Sequence, residues 1–213
     1  NSDWYRGTAD GMYQNIDFLK KGHAPYVIIT SGDCVYKMDY NEIIDYHIAK
    51  KADITVVCKD MPAGADVSRY GVIRMNEDAR IVEFEEKPLL AQSNIISAGI
   101  YVIRRRQLIE ILEQAAEENR YDFVSDVLVR YRNVKNIYGY KLKTYWSNIA
   151  SIDDYARTNM DFLKPEVRSF FFREEPRIYS KVDDLPPAKY NPGSAVSNRL
   201  ISSGCIINCK GED

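Results

Sequence analysis

Two continuous apolar runs, YVIIT at Tyr26–Thr30 and DITVVCK at Asp53–Lys59, flank a helix-period segment at Asn41–Lys51. That segment carries apolar side chains at Ile43, Ile44 and Ile48. Consecutive β-branched residues suit a strand covered on both faces, since alternate side chains would otherwise meet water. Strand, helix and second buried strand predict a right-handed parallel crossover. Sheets wound this way receive ligands outside the carboxyl ends of their strands. Ser31-Gly32-Asp33 falls there, which makes Asp33 the first candidate. A carboxylate beside a glycine suits Mg²⁺ held jointly with phosphates. A turn or capping aspartate fits the same local pattern, and Asp39 is assigned to the start of the next helix.

Around this unit the periodicity changes several times. Apolar positions at Ala9, Met12, Tyr13, Ile16 and Leu19 predict a helix over 9–21, with Thr8 as its cap and Gly22 as its stop. Tyr70–Pro88 reads as a hairpin turning at Asn76–Ala79. A strand follows at Ser97–Ile103, then a helix with Leu108, Ile109, Leu112 and Ala115, a second helix over 122–131, and a strand over 137–146. In YWSNIASIDDY, Ser151 and Asp154 match an S-x-x-D capping pattern. The helix beyond places Ile152, Tyr155, Ala156, Met160 and Leu163 on one face. After Pro165 regularity falls away into a proline-bearing linker. Val196, Leu200, Ile201, Cys205, Ile206 and Ile207 then recur near a six-residue step, a hint of one hexapeptide β-helix coil.

Composition narrows the function. A length of 213 residues allows one substantial core and a small appendage, and the net charge of −2 comes with no extended basic block, so nothing suggests nucleic-acid binding. No apolar run is long enough to span a bilayer, so a cytoplasmic protein is expected. Cys34, Cys58, Cys205 and Cys209 sit in or beside apolar runs and read as buried, reduced thiols. His23 and His47 have no suitably placed Ser or Cys, so no hydrolytic triad is expected. Lys87, at a strand end fixed by Pro88, is a candidate point charge for a phosphate, or an exposed hairpin lysine. Arg6 could hold an anion near a helix N-terminus, or be solvated.

Taken together, WYRGTADGMYQN, SGDCVYKMDY, RYGVI, EFEEKP, SAGIYVI and LPPAKY resemble, in order, the bacterial ADP-glucose pyrophosphorylases (glucose-1-phosphate adenylyltransferases). The resemblance implies an α/β fold. A Rossmann-like nucleotidyltransferase (nucleotide-diphospho-sugar transferase) sheet with helices on both faces would occupy 1–165. A linker over 166–194 and the first coil of a left-handed β-helix over 195–213 would follow. It also implies the joining of ATP and glucose 1-phosphate into ADP-glucose and pyrophosphate, in glycogen biosynthesis, with Mg²⁺ as cofactor. By resemblance Asp33 is the first metal ligand and Lys87 grips the sugar phosphate. Glu86, Gly71 and Ser97 line that pocket, and Arg6 and Thr8 lie near the nucleotide.

The departures are as informative. Catalytic members read close to DFGKD where this chain has DFVSD, so Val124 and Ser125 replace a glycine and a lysine. They read close to YWRDVGT where this chain has YWSNIAS, so Asn148 stands at the second metal-binding aspartate. A neutral amide supplies a ligand oxygen without negative charge, which weakens the hold on Mg²⁺. The resemblance is therefore closest to the noncatalytic, GlgD-type subunit, expected to modulate a catalytic ADP-glucose pyrophosphorylase subunit within a hetero-oligomer, in all expectation a tetramer. A working adenylyltransferase with an altered metal site, and a sugar-phosphate-binding module outside glycogen synthesis, are the alternatives. The chain opens mid-motif, so a fragment lacking the N-terminal phosphate loop and most of the β-helix is expected.

Overall fold

The computed structural model describes residues 4–208. The chain divides into two compact units, one running to Cys34 and resuming at Asp39–Trp146, the other formed by Val35–Met38 and the chain from Ser147 onward.

The first unit begins with α1 (Thr8–Gln14) and α2 (Ile16–Lys21). The expected single helix is broken at Asn15, whose side chain donates to the Gly11 carbonyl four residues back. Such local side-chain bonding competes with the backbone ladder. Then come β1 (Tyr26–Thr30), β2 (Cys34–Tyr36), α3 (Tyr40–Ala49) and β3 (Ile54–Asp60). Asp39 caps α3 by accepting the Asn41 N–H at 2.9 Å, as expected. The predicted hairpin forms as β4 (Gly71–Met75) and β5 (Ile81–Glu86), closed through Asn76, whose side chain accepts from the N–H groups of Asp78 and Arg80. The long β6 (Ile95–Arg104) leads directly into α4 (Arg105–Glu117).

β1 and β3 run in the same direction, as the crossover predicts, but they are not neighbours. Both pair antiparallel with β6, which lies between them, while β3 pairs parallel with β7 (Ile137–Lys141). The sheet is therefore mixed. Ten consecutive residues, nearly all buried, let β6 pair along both edges, and this long-range choice leaves no local trace in sequence. β4 meets β6 at Val72–Ile96, beyond the end of the β1 ladder at Thr30–Ile100.

Alternation divides the two faces. Ile54, Val56, Cys58, Tyr101 and Ile103 share a core with Leu108, Ile111 and Leu112 of α4. Each such aliphatic side chain contributes roughly 1.5–3 kcal/mol by burial. Full burial also pushes the Cys58 thiol up to about 12, leaving it unreactive. On the opposite face α3 docks through Ile43 and His47. His47 is buried, with Nδ1 2.8 Å from Thr55 Oγ1, the Tyr26 ring edge-on at 5.4 Å, and Nε2 without a partner among the described residues.

Burial, helped by Arg104, lowers the His47 pKa from 6.5 to about 4. The unfolded chain therefore binds the extra proton first as pH falls. Stability is full above about pH 6.5 and is lost on descending to about pH 4, by about 3 kcal/mol. Urea unfolding at pH 7 and pH 4.5 should show this slope, and His47→Asn should flatten it.

In the second unit, β2 and β8 (Trp146–Asn148) form a two-stranded ladder. The strand expected over 137–146 is thus two strands, β7 and β8. Ser151 caps α5 (Ile152–Asp161), accepting the Asp154 N–H at 3.1 Å as predicted. The buried face of α5 is not the expected one: Asp154 and Thr158 are buried, whereas Ile152, Tyr155 and Met160 are exposed. Polar docking explains the reversal, since Asp154 binds Arg157 and Ser151, and Thr158 meets Ser147 at 2.7 Å. Where irregular chain was expected, α6 (Pro165–Phe172) forms with Pro165 at its first turn and packs Val167 and Phe171 inward. Lys37 is buried against it, donating to the Phe170 and Glu174 carbonyls. Two short strands, β9 (Lys189–Tyr190) and β10 (Ile206–Ile207), pair in parallel. Cys58 is buried as expected, Cys34 and Cys205 are only half-buried, and Cys209 lies outside the described residues.

Candidate functional site

The site of the first unit follows from the break between the β1 and β4 ladders along β6. Gly99 sits in that break at φ 74, a left-handed conformation that favours glycine. A Cβ there would come within 2.9 Å of the Ser31 Cβ, so glycine also permits β1 to close in, with Ser31 N–H donating to the Gly99 carbonyl at 2.9 Å. Beside it opens a cavity of about 490 Å³ whose walls include Thr8, Ser31, Gly99, Tyr101, Phe123 and Val124. That volume suits a small molecule.

Gly71, Glu86 and Ser97 are brought together by register. Gly71 pairs with Glu86 across β4 and β5, and Val72 pairs with Ile96, one residue before Ser97. A Cβ at Gly71 would press on the Phe84 ring at 2.8 Å and on the Glu86 carboxylate at 3.2 Å, so the glycine makes room for both. Ser97 Oγ lies 3.1 Å from the Tyr101 hydroxyl. Burial pushes the Tyr101 phenol up to about 12 against that hydrogen bond, with Glu86 and Asp122 adding to the rise. Burial likewise raises the Glu86 carboxyl, Lys87 opposes it, and Asp122 reinforces it. Lys87 extends from the strand end at φ 49, unusual for a lysine, with Nζ 3.6 Å from Glu86. Strained backbone of this kind collects at ligand sites. Removing the lysine charge in Lys87→Ala should raise the Glu86 pKa further, a direction that carboxyl NMR titration can check.

The WYRGTAD and DFVSD segments are locked together. Ala9 and Asp10 N–H groups donate to the Tyr121 carbonyl, and the Phe123 N–H donates to Thr8 Oγ1 at 2.9 Å. Gly7 is the N-cap of α1, and Thr8 is its first residue rather than its cap. Arg6 is not simply solvated: its guanidinium lies 3.9 Å from the Tyr121 ring, donates to the Tyr121 hydroxyl and pairs with the buried Asp10. Val124–Val129 forms a π-helical turn instead of the expected α-helix. Val124 lines the cavity, while Ser125 turns back, its N–H and hydroxyl donating to Asp122 at 2.8 and 2.9 Å. π-Helical turns occur frequently at functional sites.

Asp33 follows β1 and accepts from the Ser31 hydroxyl and, at 3.5 Å, from the Cys34 thiol, the bonding of a turn aspartate. Among the described residues no group of three or more His, Cys, Asp or Glu side chains could hold a metal. Asp33 could therefore hold Mg²⁺ only jointly with phosphate oxygens and water, which would supply the rest of its shell. Asn148 ends β8 in the second unit, next to the Ser147–Thr158 contact. Sequence reasoning missed Tyr101, Asp122, Tyr121 and Asp10. Two signals were available: Tyr101 falls four residues after Ser97, on the same strand face, and Asp10 falls one helical turn after Arg6.

A mixed sheet flanked by helices, with a cavity beside the strand end of β1, defines an α/β domain of the nucleotide-handling type. The chain belongs to the nucleotidyl transferase family, whose model, described as Nucleotidyl transferase, matches residues 2–165. It is 38% identical over 206 residues to the glucose-1-phosphate adenylyltransferase of Thermosipho melanesiensis, covering 96% of this chain and 50% of that protein. The same named enzyme from Thermotoga maritima is 38% identical over 210 residues (97% and 49%), and that from Geobacillus stearothermophilus 37% over 207 residues (96% and 53%). The chain spans about half the length of the curated relatives it matches. No helix among the described residues is long and apolar enough to cross a membrane.

Proposed function

We propose that this chain is part of a noncatalytic, regulatory subunit of ADP-glucose pyrophosphorylase, acting in glycogen biosynthesis beside a catalytic subunit. The observation that carries the reading is the coincidence of Asn148, Ser125 and Val124 at three positions where the resemblance places an aspartate, a lysine and a glycine. The surroundings of two of them support it. Ser125 is a short side chain spent on Asp122, and Val124 adds an apolar wall to the cavity, so neither supplies a charge for a phosphate.

Lys87, Glu86, Gly71 and Ser97 remain as a sugar-phosphate-binding group, and Thr8 and Arg6 as the nucleotide side. Ligand binding is thereby retained while charge stabilisation of the reacting phosphate is lost. The exposed apolar residues of α5, Ile152, Tyr155 and Met160, support an assembled subunit. The parallel pairing of β9 with β10 supports the start of a β-helix coil, after a nucleotidyltransferase-like domain over 1–165 and a linker over 166–194 that carries α6 and β9. The test is to mix the full-length protein with its catalytic partner. A changed rate or activator response of the partner is expected, and unchanged kinetics at saturating ratio would remove the regulatory role.

A further inference from the structure

Opposite in character to the strand-end cavity is a second one, of about 420 Å³, lined by His23, Pro25, Tyr26, Arg104, Arg105 and Arg106. It lies at the other end of β1, where Tyr26 pairs with Arg104. Four of its six lining residues are basic and none is acidic. The volume falls in the range of small-molecule sites.

Three consecutive arginines here run against the ordinary electrostatics of a helix. Arg104 is the N-cap of α4, a 13-residue helix whose first turn holds no acidic residue and whose cap makes no side-chain hydrogen bond. A helix N-terminus is already the positive end of the macrodipole, and carboxylates are favoured there. Neither Arg104 nor Arg106 forms an ion pair among the described residues. Arg105, by contrast, is fixed: its guanidinium donates to the Ala24 carbonyl at 2.9 Å and the Leu19 carbonyl at 3.0 Å. The cavity thus has a tethered wall and two arginines without an ion-pair partner among the described residues. The Tyr26 ring that lines the cavity meets the buried His47 edge-on at 5.4 Å, and His47 Nε2 has no partner among the described residues.

We propose that this cavity is a binding site for a small phosphate-bearing anion, with Arg104 and Arg106 as its charged donors and His23 at its rim. Planar guanidinium groups match phosphate oxygens in paired hydrogen bonds, and such a ligand would neutralise the like charges that line the cavity. The site is separate from the Lys87 group and owes nothing to the proposed subunit role.

His23 makes the test direct, because it lines the cavity, while His47 is reached only through Tyr26. Inorganic phosphate is titrated into the full-length protein at constant ionic strength, and the His23 ring resonances are followed by NMR. A saturable His23 shift is expected, weakened at least about tenfold in Arg104→Gln/Arg106→Gln and unchanged in Lys87→Ala. The single Arg106→Gln, which leaves the β1–β6 ladder residue Arg104 in place, should weaken binding in the same direction if the double variant misfolds. A linear, non-saturating shift, an equal shift with chloride, or a shift lost in Lys87→Ala would each overturn the assignment.

Discussion

In the full-length protein, Asn148→Asp combined with Ser125→Lys is expected to raise ADP-glucose formation by about two to four orders of magnitude over the unaltered protein. The estimate follows from the charge that the two substitutions restore. A carboxylate in place of an amide and an ammonium in place of a hydroxyl are together worth roughly 3–5 kcal/mol of transition-state stabilisation, which converts at 1.36 kcal/mol per decade. Each change alone should recover less, since the two charges serve one reacting phosphate and are not additive. Ser125→Lys must also release the hydrogen bond from the Ser125 hydroxyl to Asp122, so a modest loss of stability should accompany the gain. Coupled detection of pyrophosphate, with single and double variants side by side, measures the effect.

Gly7→Ala should be the most damaging single-methyl addition near the site. The new Cβ would overlap the Tyr121 carbonyl oxygen and lie 2.8 Å from its carbon, and both atoms are backbone and cannot step aside. That carbonyl accepts from Ala9 and Asp10, so the clash also unseats the start of α1 and the Arg6–Asp10 pair. A loss of about 2–3 kcal/mol is expected, together with weaker nucleotide binding. Gly32→Ala is the control, because nothing lies within 4 Å of a Cβ there, and its unfolding midpoint should stay unchanged. Urea denaturation of the three proteins decides between a steric and a merely conformational role for Gly7.

How much of this was legible depended on the range of the forces involved. β1, β3, α3 and the hairpin were read correctly because their signals are local: β-branched runs, the Asp39 cap and the Asn76 turn. The central place of β6 was not, since strand order is decided by pairing across distant chain segments. The face of α5 was misread because hydrophobic periodicity assumes apolar residues turn inward, whereas Asp154 and Thr158 dock through hydrogen bonds. The break at Asn15 and the helix after Pro165 did carry signals, an Asn in mid-helix and a proline fit for a first turn. At the site, Gly71, Glu86 and Ser97 were named from resemblance and are adjacent through register. The bonding of Arg6 to Tyr121 was illegible, because residues 115 apart in sequence meet only in the fold.

The central claim is that the chemistry has been lost while the binding frame persists. Pyrophosphate release by the full-length, unaltered protein alone, at saturating ATP and glucose 1-phosphate with Mg²⁺, tests it most directly. The account predicts turnover at least about a hundredfold below a catalytic relative assayed in parallel. Turnover within about tenfold of that relative would contradict it, and would mean that Asn148 and Ser125 serve a working active site.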